Sequence, residues 1–209
     1  MSKQAILDRL QRYPAEAQAR PARLKEEPRP QAELAAQFSK NLQAVKGQVI
    51  RCDQADLQAR LNQLIADHAI RRMCAGTHPD LDSILRALPS ELQLTRLKQP
   101  IEGFKQEMFA DMDAALTTCD GALAETGSIV LYSDPMQPRT LSLLPPIHIV
   151  LLYIKQIHAN LSTWFERSDL MPLPTNLLLI SGPSKSADIE QVLAYGVHGP
   201  KQLIVMLIE

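Results

Sequence analysis

The sequence predicts an α/β fold, a mostly parallel sheet sandwiched between helices, and two patterns carry that expectation. Short β-type runs alternate with helical stretches along most of the chain. In addition, "IHIVLL", "NLLLIS" and "QLIVMLI" are continuous apolar runs rather than alternating ones, the pattern of strands covered on both faces. The 209 residues suffice for one large domain with an appendage. Hydrophobic residues make up 45% of the chain but aromatic ones only 4%, so the core must be built from Leu, Ile, Val and Ala.

Taken in order, Ser2 is placed to cap a first helix whose Ile6, Leu7 and Leu10 share one face. Pro14, Pro21, Pro28 and Pro30 then interrupt a stretch of mixed charge, which reads as a linker or extended arm. A helical pattern resumes from Gln31 to Val45, "GQVIRC" is strand-like, and Asp53 is expected to cap a helix over "QADLQARLNQLIADH". "AIRRMC" reads as a strand, and Asp80 to Leu88 as a short helix behind the His78-Pro79 breaker pair. "ALTTC" and "SIVL" are further strands, with Asp120 the expected N-cap of a single helical turn "GALAE" between them. The last unit, "NLLLISGPSKSADIEQVLAYGVHGPKQLIVMLIE", reads strand, glycine turn, helix, glycine turn, strand. The domain expectation is therefore 1–30 for the N-terminal helix and proline-rich arm, and 31–209 for the α/β domain.

A net charge of -1 provides no basic field for nucleic acid or anionic lipid. The N-terminal stretch lacks the apolar core of a signal peptide, and the run from Ile147 to Ile154 is too short to span a bilayer, so a cytoplasmic protein without a membrane span is expected. Cys52, Cys74 and Cys119 lie far apart with no CxxC pair, so neither a metal site nor an iron–sulfur cluster is expected within the chain.

Chemistry is sought at the glycine turns. Gly182 permits a sharp turn, Ser184 or Ser186 would cap the helix that follows, and Lys185 adds positive charge beside its free N–H groups, an arrangement that attracts a phosphate or carboxylate. An ordinary well-capped helix accounts for the same residues. Gly199, in "GVHGP", turns the chain into the final strand, and His198 beside it is on a loop where it either meets a ligand or solvent. Arg139 could clamp a carboxylate or be a solvated charge, whereas His148, between Ile147 and Ile149, reads as a core histidine. Glu125, Thr126 and Gly127 form a tight loop at a sheet edge, where Glu125 could serve as base, nucleophile, partner to Arg139 or Lys185, or cap. Trp164 is expected to be buried.

Four segments, "TTCDGALAETGSIVL", "LSLLPPIHIVLL", "LLLISGPSKSADIE" and "YGVHGPKQLIVMLI", resemble in that order the lactate utilization protein C family, also called the LUD-domain family (LutC/YkgG type). The resemblance implies a three-layer fold of the NagB/RpiA/CoA-transferase type. It implies a role in oxidising L-lactate to pyruvate together with two partner proteins that carry the iron–sulfur clusters, and no cofactor within this chain. Coenzyme A transferases of the wider superfamily use a loop glutamate followed, after one residue, by glycine, as in Glu125-Thr126-Gly127. That similarity leaves a CoA or acyl transferase using Glu125 as an alternative function. A phosphate- or nucleotide-binding module at Gly182 to Ser186 and His198 is another.

Overall fold

A computed structural model describes residues 3–11, 28–97, 111–167, 176–187, 193–195 and 199–209. Its elements are α1 (Lys3–Gln11), α2 (Gln31–Ala44), β1 (Gln48–Cys52), α3 (Leu57–Asp67), β2 (Arg72–Ala75), α4 (Asp82–Arg86), β3 (Gln93–Arg96), β4 (Ala114–Thr118), β5 (Gly121–Leu123) and β6 (Ser128–Tyr132). There follow α5 (Thr140–Leu143), β7 (Ile147–Tyr153), β8 (Ile157–His158), α6 (Leu161–Arg167), β9 (Leu177–Ile180), β10 (Lys185–Ala187), β11 (Leu193–Tyr195) and β12 (Gln202–Ile208). Of the proline-rich arm, Pro14 and Pro21 lie outside the described residues. No helix among the described residues is long and apolar enough to cross a membrane.

The centre is a six-stranded sheet in the order β1-β12-β7-β4-β2-β3, parallel throughout. The apolar runs of β7 and β12 place them in the middle, where alternate side chains enter two different cores. Ile149, Leu151, Ile204, Met206 and Ile208 face the core under α3 and α4. Val150, Leu152, Leu203, Val205 and Leu207 face the opposite core under α2. Each covering helix offers one stripe: Leu57, Leu61, Leu64 and Ile65 on α3, and Leu34, Ala35, Phe38 and Leu42 on α2. That spacing of three and four residues is what a 3.6-residue turn needs to keep one face apolar.

On the α2 side lies a second sheet, ordered β8-β5-β6-β9, in which β5 and β6 form an antiparallel hairpin. Three expectations are corrected here. "GAL" is the strand β5 and not a helical turn, so Asp120 caps nothing; Gly121 to Leu123 are fully buried, and a Cβ at Gly121 would lie 2.8 Å from the Trp164 indole nitrogen. Close packing against that ring extends the chain where local pattern favours a turn. "NLLLIS" belongs to this second sheet, pairing antiparallel with β6: Leu178 and Ile180 pack toward α2, while Leu179 is 46% exposed. Its apolar run thus serves the α2 core through Leu178 and Ile180 and the smaller cluster around Trp164 through Leu177, with Leu179 left exposed. Third, the stretch after Gly182 is no helix start, because Lys185 to Ala187 form β10, paired antiparallel with Leu193 to Tyr195.

Smaller differences follow from local hydrogen bonding. Residues after Asp53 first make a turn, with the Asp56 N–H donating to the Asp53 carbonyl at 3.0 Å, so α3 starts at Leu57. The strand β3 was not expected; its four residues are mixed in polarity, and it lies at the sheet edge. Trp164 is buried, 1% exposed, as expected.

Candidate functional site

Strand order reverses between β2 and β4: the chain runs outward from β2 to β3, returns to β4, and continues the other way to β7 and β12. Loops leaving two such strands diverge to opposite faces of the sheet and leave a crevice beyond their carboxyl ends. A cavity of about 320 Å³ occupies that place. Its wall takes His78 and Asp80 from the loop after β2, Thr118, Cys119 and Asp120 from the end of β4, and Tyr153 and Gln156 from the end of β7. Tyr132, at the end of β6, and Asp134 and Gln137 from the loop that follows close it.

The loop carrying Asp134 is held by a buried glutamine. Gln137 accepts from the Thr118 backbone N–H at 2.9 Å and from its hydroxyl at 3.1 Å, and donates to the Thr118 carbonyl at 3.1 Å. Its own N–H donates to the Asp134 carboxylate at 2.6 Å. The loop also rests on Gly76, where the Thr77 N–H donates to the Met136 carbonyl at 2.8 Å and a Cβ would lie 2.2 Å from that oxygen. Opposite, the Asp120 carboxylate accepts from the Tyr132 N–H at 2.6 Å, and the Trp164 indole N–H donates to the Asp120 carbonyl at 3.2 Å. Gln156 donates to the Cys119 carbonyl at 3.1 Å. These bonds fix the wall to the strand ends rather than leaving it to loop side chains.

The cavity is acidic. Asp80, Asp120 and Asp134 line it with His78, whose Nδ1 accepts from the Asp80 N–H at 3.3 Å, and no Lys or Arg of the described residues is part of the wall. The protein packed around Asp120 raises its pKa; the Tyr132 N–H opposes that rise, and the Asp134 charge adds to it. A carboxyl group so placed is suited to holding or passing a proton. Cys119 is not available for chemistry there: burial drives its thiol well above the usual range, and Sγ donates to the Leu151 carbonyl at 3.3 Å.

The residues singled out from sequence are distributed differently. Glu125, Thr126 and Gly127 form the turn of the β5–β6 hairpin, separated from Asp120 by the length of β5, roughly 10 Å of extended chain. Asn41 of α2 donates to the carbonyls of Ala124 and Glu125, both at 2.9 Å. Gly127 has φ +66°, and a Cβ on it would lie 2.5 Å from the Leu42 backbone nitrogen. Its presence is explained by the left-handed turn and the close approach of α2. Glu125 is exposed, and among the described residues no ion pair joins it to Arg139 or Lys185.

Gly182, Ser184 and Gly199 do come together, in a second cavity of about 290 Å³ with Leu143, Pro200 and Leu203. It lies at the amino ends of β7 and β12, away from the ends that hold the acidic cavity. Thr126 reaches its rim through a chain of hydroxyls, Thr126 to Ser128 and Ser128 to Ser181, each 2.7 Å. Arg139 is exposed at the start of α5, Lys185 is exposed at the start of β10, Ser186 is the next residue of that strand, and His198 lies outside the described residues. The strand β10, paired antiparallel with β11, stands where the helix N-terminus expected to attract an anion would begin.

Sequence reasoning missed Asp120, Asp134, His78, Tyr132 and Gln137. One signal was legible: Asp120 is the first acidic residue beyond a buried strand, the position from which a parallel sheet addresses a ligand.

The sequence matches the LUD domain family over residues 35–208. It is 31% identical over 167 residues to a protein named Lactate utilization protein C from Exiguobacterium sp. (strain ATCC BAA-1283 / AT1b), covering 77% of this chain and 71% of that protein. Another of the same name, from Halalkalibacterium halodurans, is 30% identical over 161 residues, 73% of this chain and 69% of that one. An uncharacterized protein of Neisseria meningitidis serogroup B, NMB1437, is 39% identical over 121 residues, 57% of this chain; the match spans about half of that protein, 52%. The crystal structure of a DUF162 family protein from Deinococcus radiodurans superposes with a TM-score of 0.67 at 22% identity, covering 87% of this chain and 100% of that one. That likeness establishes the fold.

Proposed function

The chain belongs to the LUD domain family, and from that premise we propose that it serves L-lactate utilization as an accessory, ligand-handling subunit that acts with two iron–sulfur proteins. Lactate gives up two electrons and two protons in becoming pyruvate, and in this reading the electrons pass to the partners' clusters. The observation that carries the proposal is the match of residues 35–208 to the LUD domain family, together with the likeness of 73–77% of the chain to two proteins named Lactate utilization protein C.

The chain's own chemistry is in keeping with that division of labour. Its three cysteines are buried, and burial raises each thiol pKa, Cys74 to about 12, so none offers a ready thiolate to a cluster or an acceptor. Its acidic cavity repels an anion such as lactate, which favours handling of another ligand while a partner oxidises lactate.

Mild cross-linking and affinity purification of the tagged chain from cells growing on L-lactate test the partnership. Recovery of two iron–sulfur proteins in constant ratio is expected. Recovery of the chain alone, from cells that are consuming lactate, overturns it.

A further inference from the structure

We propose that the cavity beyond the carboxyl ends of β2 and β4 binds a small organic cation, an ammonium or guanidinium compound, with Asp120 and Asp134 as its charge partners. The inference goes beyond the lactate role and stands on the cavity alone.

Size and place come first. About 320 Å³ falls at the lower end of the range of small-molecule pockets, roughly 300 to 1,000 Å³, and the crevice at a strand-order reversal is where open α/β sheets take their ligands. Sign comes next. Three carboxylates share the wall with one histidine, and the Asp134 charge disfavours ionisation of Asp120. A cation between them relieves that repulsion, whereas a carboxylate or phosphate adds to it.

The kind of cation follows from how the acids are spread. Among the described residues no three His, Cys, Asp or Glu side chains are gathered closely enough to hold a metal ion, so a bare divalent ion finds no cage. A cation with several N–H donors does not need one, since it can reach acceptors set apart on the wall. Tyr132 adds aromatic surface of the sort that accommodates such groups, whereas one face of the Tyr153 ring is already taken by the Lys155 ammonium, 5.5 Å from its centroid. The wall is preorganised, because Asp120 and Asp134 are each fixed by a backbone N–H at 2.6 Å.

Trp164, the chain's single tryptophan, donates to the Asp120 carbonyl and so supplies a reporter. The full chain is titrated with agmatine at constant ionic strength, following Trp164 fluorescence and, in parallel, heat by calorimetry. L-lactate serves as the anionic probe. Saturable binding of agmatine is expected, weakened at least about tenfold in Asp120→Asn and in Asp134→Asn, with circular dichroism unchanged; tenfold corresponds to about 1.4 kcal/mol. Silence toward agmatine in both measurements overturns the proposal. So does binding that neither substitution weakens, or saturation of the same signal by L-lactate.

Discussion

Removing the buried histidine of β7 should flatten the acid sensitivity of the fold. His148 is fully buried, its Nε2 lies 2.9 Å from the Thr117 hydroxyl, and its Nδ1 is buried without a partner among the described residues. Burial therefore lowers its pKa from 6.5 to about 3. Above the unfolded-state value both folded and unfolded chains hold the ring neutral, and nothing depends on pH. Below it the unfolded chain gains a proton that the folded chain refuses, so stability falls as pH drops from about 6.5 toward about 3. With those two values the loss between about pH 8 and about pH 5 comes to about 2 kcal/mol. Urea unfolding at both pH values, on the native chain and on the double variant His148→Leu/Thr117→Val, measures it. The variant removes both polar partners together, so neither is left stranded. His68, His78, His158 and His198 are common to both proteins, so the difference isolates His148. Equal acid losses in the two proteins would refute the reasoning.

Gly127→Ala should destabilise the fold by about 3 kcal/mol, a fall of roughly 6–12 °C in Tm by circular dichroism, because φ +66° and the Leu42 backbone both oppose a Cβ. Glu125→Gln in the same turn should shift stability by no more than about 0.5 kcal/mol. Asp120→Asn should remove a loss of stability with rising pH: a carboxyl whose folded pKa is raised holds its proton in the folded state longest, so ionisation through that window costs the fold stability. Chemical denaturation across the acid range reads this as a flatter profile in the variant. Cys74 and Cys119 should resist alkylation in the folded protein and react on unfolding, since burial both shields the thiols and raises their pKa. Mass spectrometry after iodoacetamide treatment counts the adducts. Tryptophan emission should be blue-shifted in the isolated chain.

The sheet was legible because burial on two faces leaves a direct mark: β7 and β12 read as unbroken apolar runs, and α2 and α3 as apolar stripes between them. β5 and β10 were not, and β9 was legible as a strand but not as a member of the second sheet. Each is three or four residues long and owes its conformation to partners distant in the chain, Trp164 for Gly121 and β6 for Leu177 to Ile180. The candidate site illustrates the same divide. Glu125 stood out as an acid two residues before a glycine, yet that glycine answers to α2. The carboxylate at the cavity end of the hairpin is Asp120, five residues earlier, and only the strand order reveals that it meets Asp134 and His78 in one cavity.

Growth on L-lactate as sole carbon source, after deletion of the gene in a strain with no second copy, decides whether this LUD-domain chain serves L-lactate utilization. Loss of that growth, with growth on pyruvate retained and restored on L-lactate by the native gene, is the predicted result. Undiminished growth on L-lactate would contradict it.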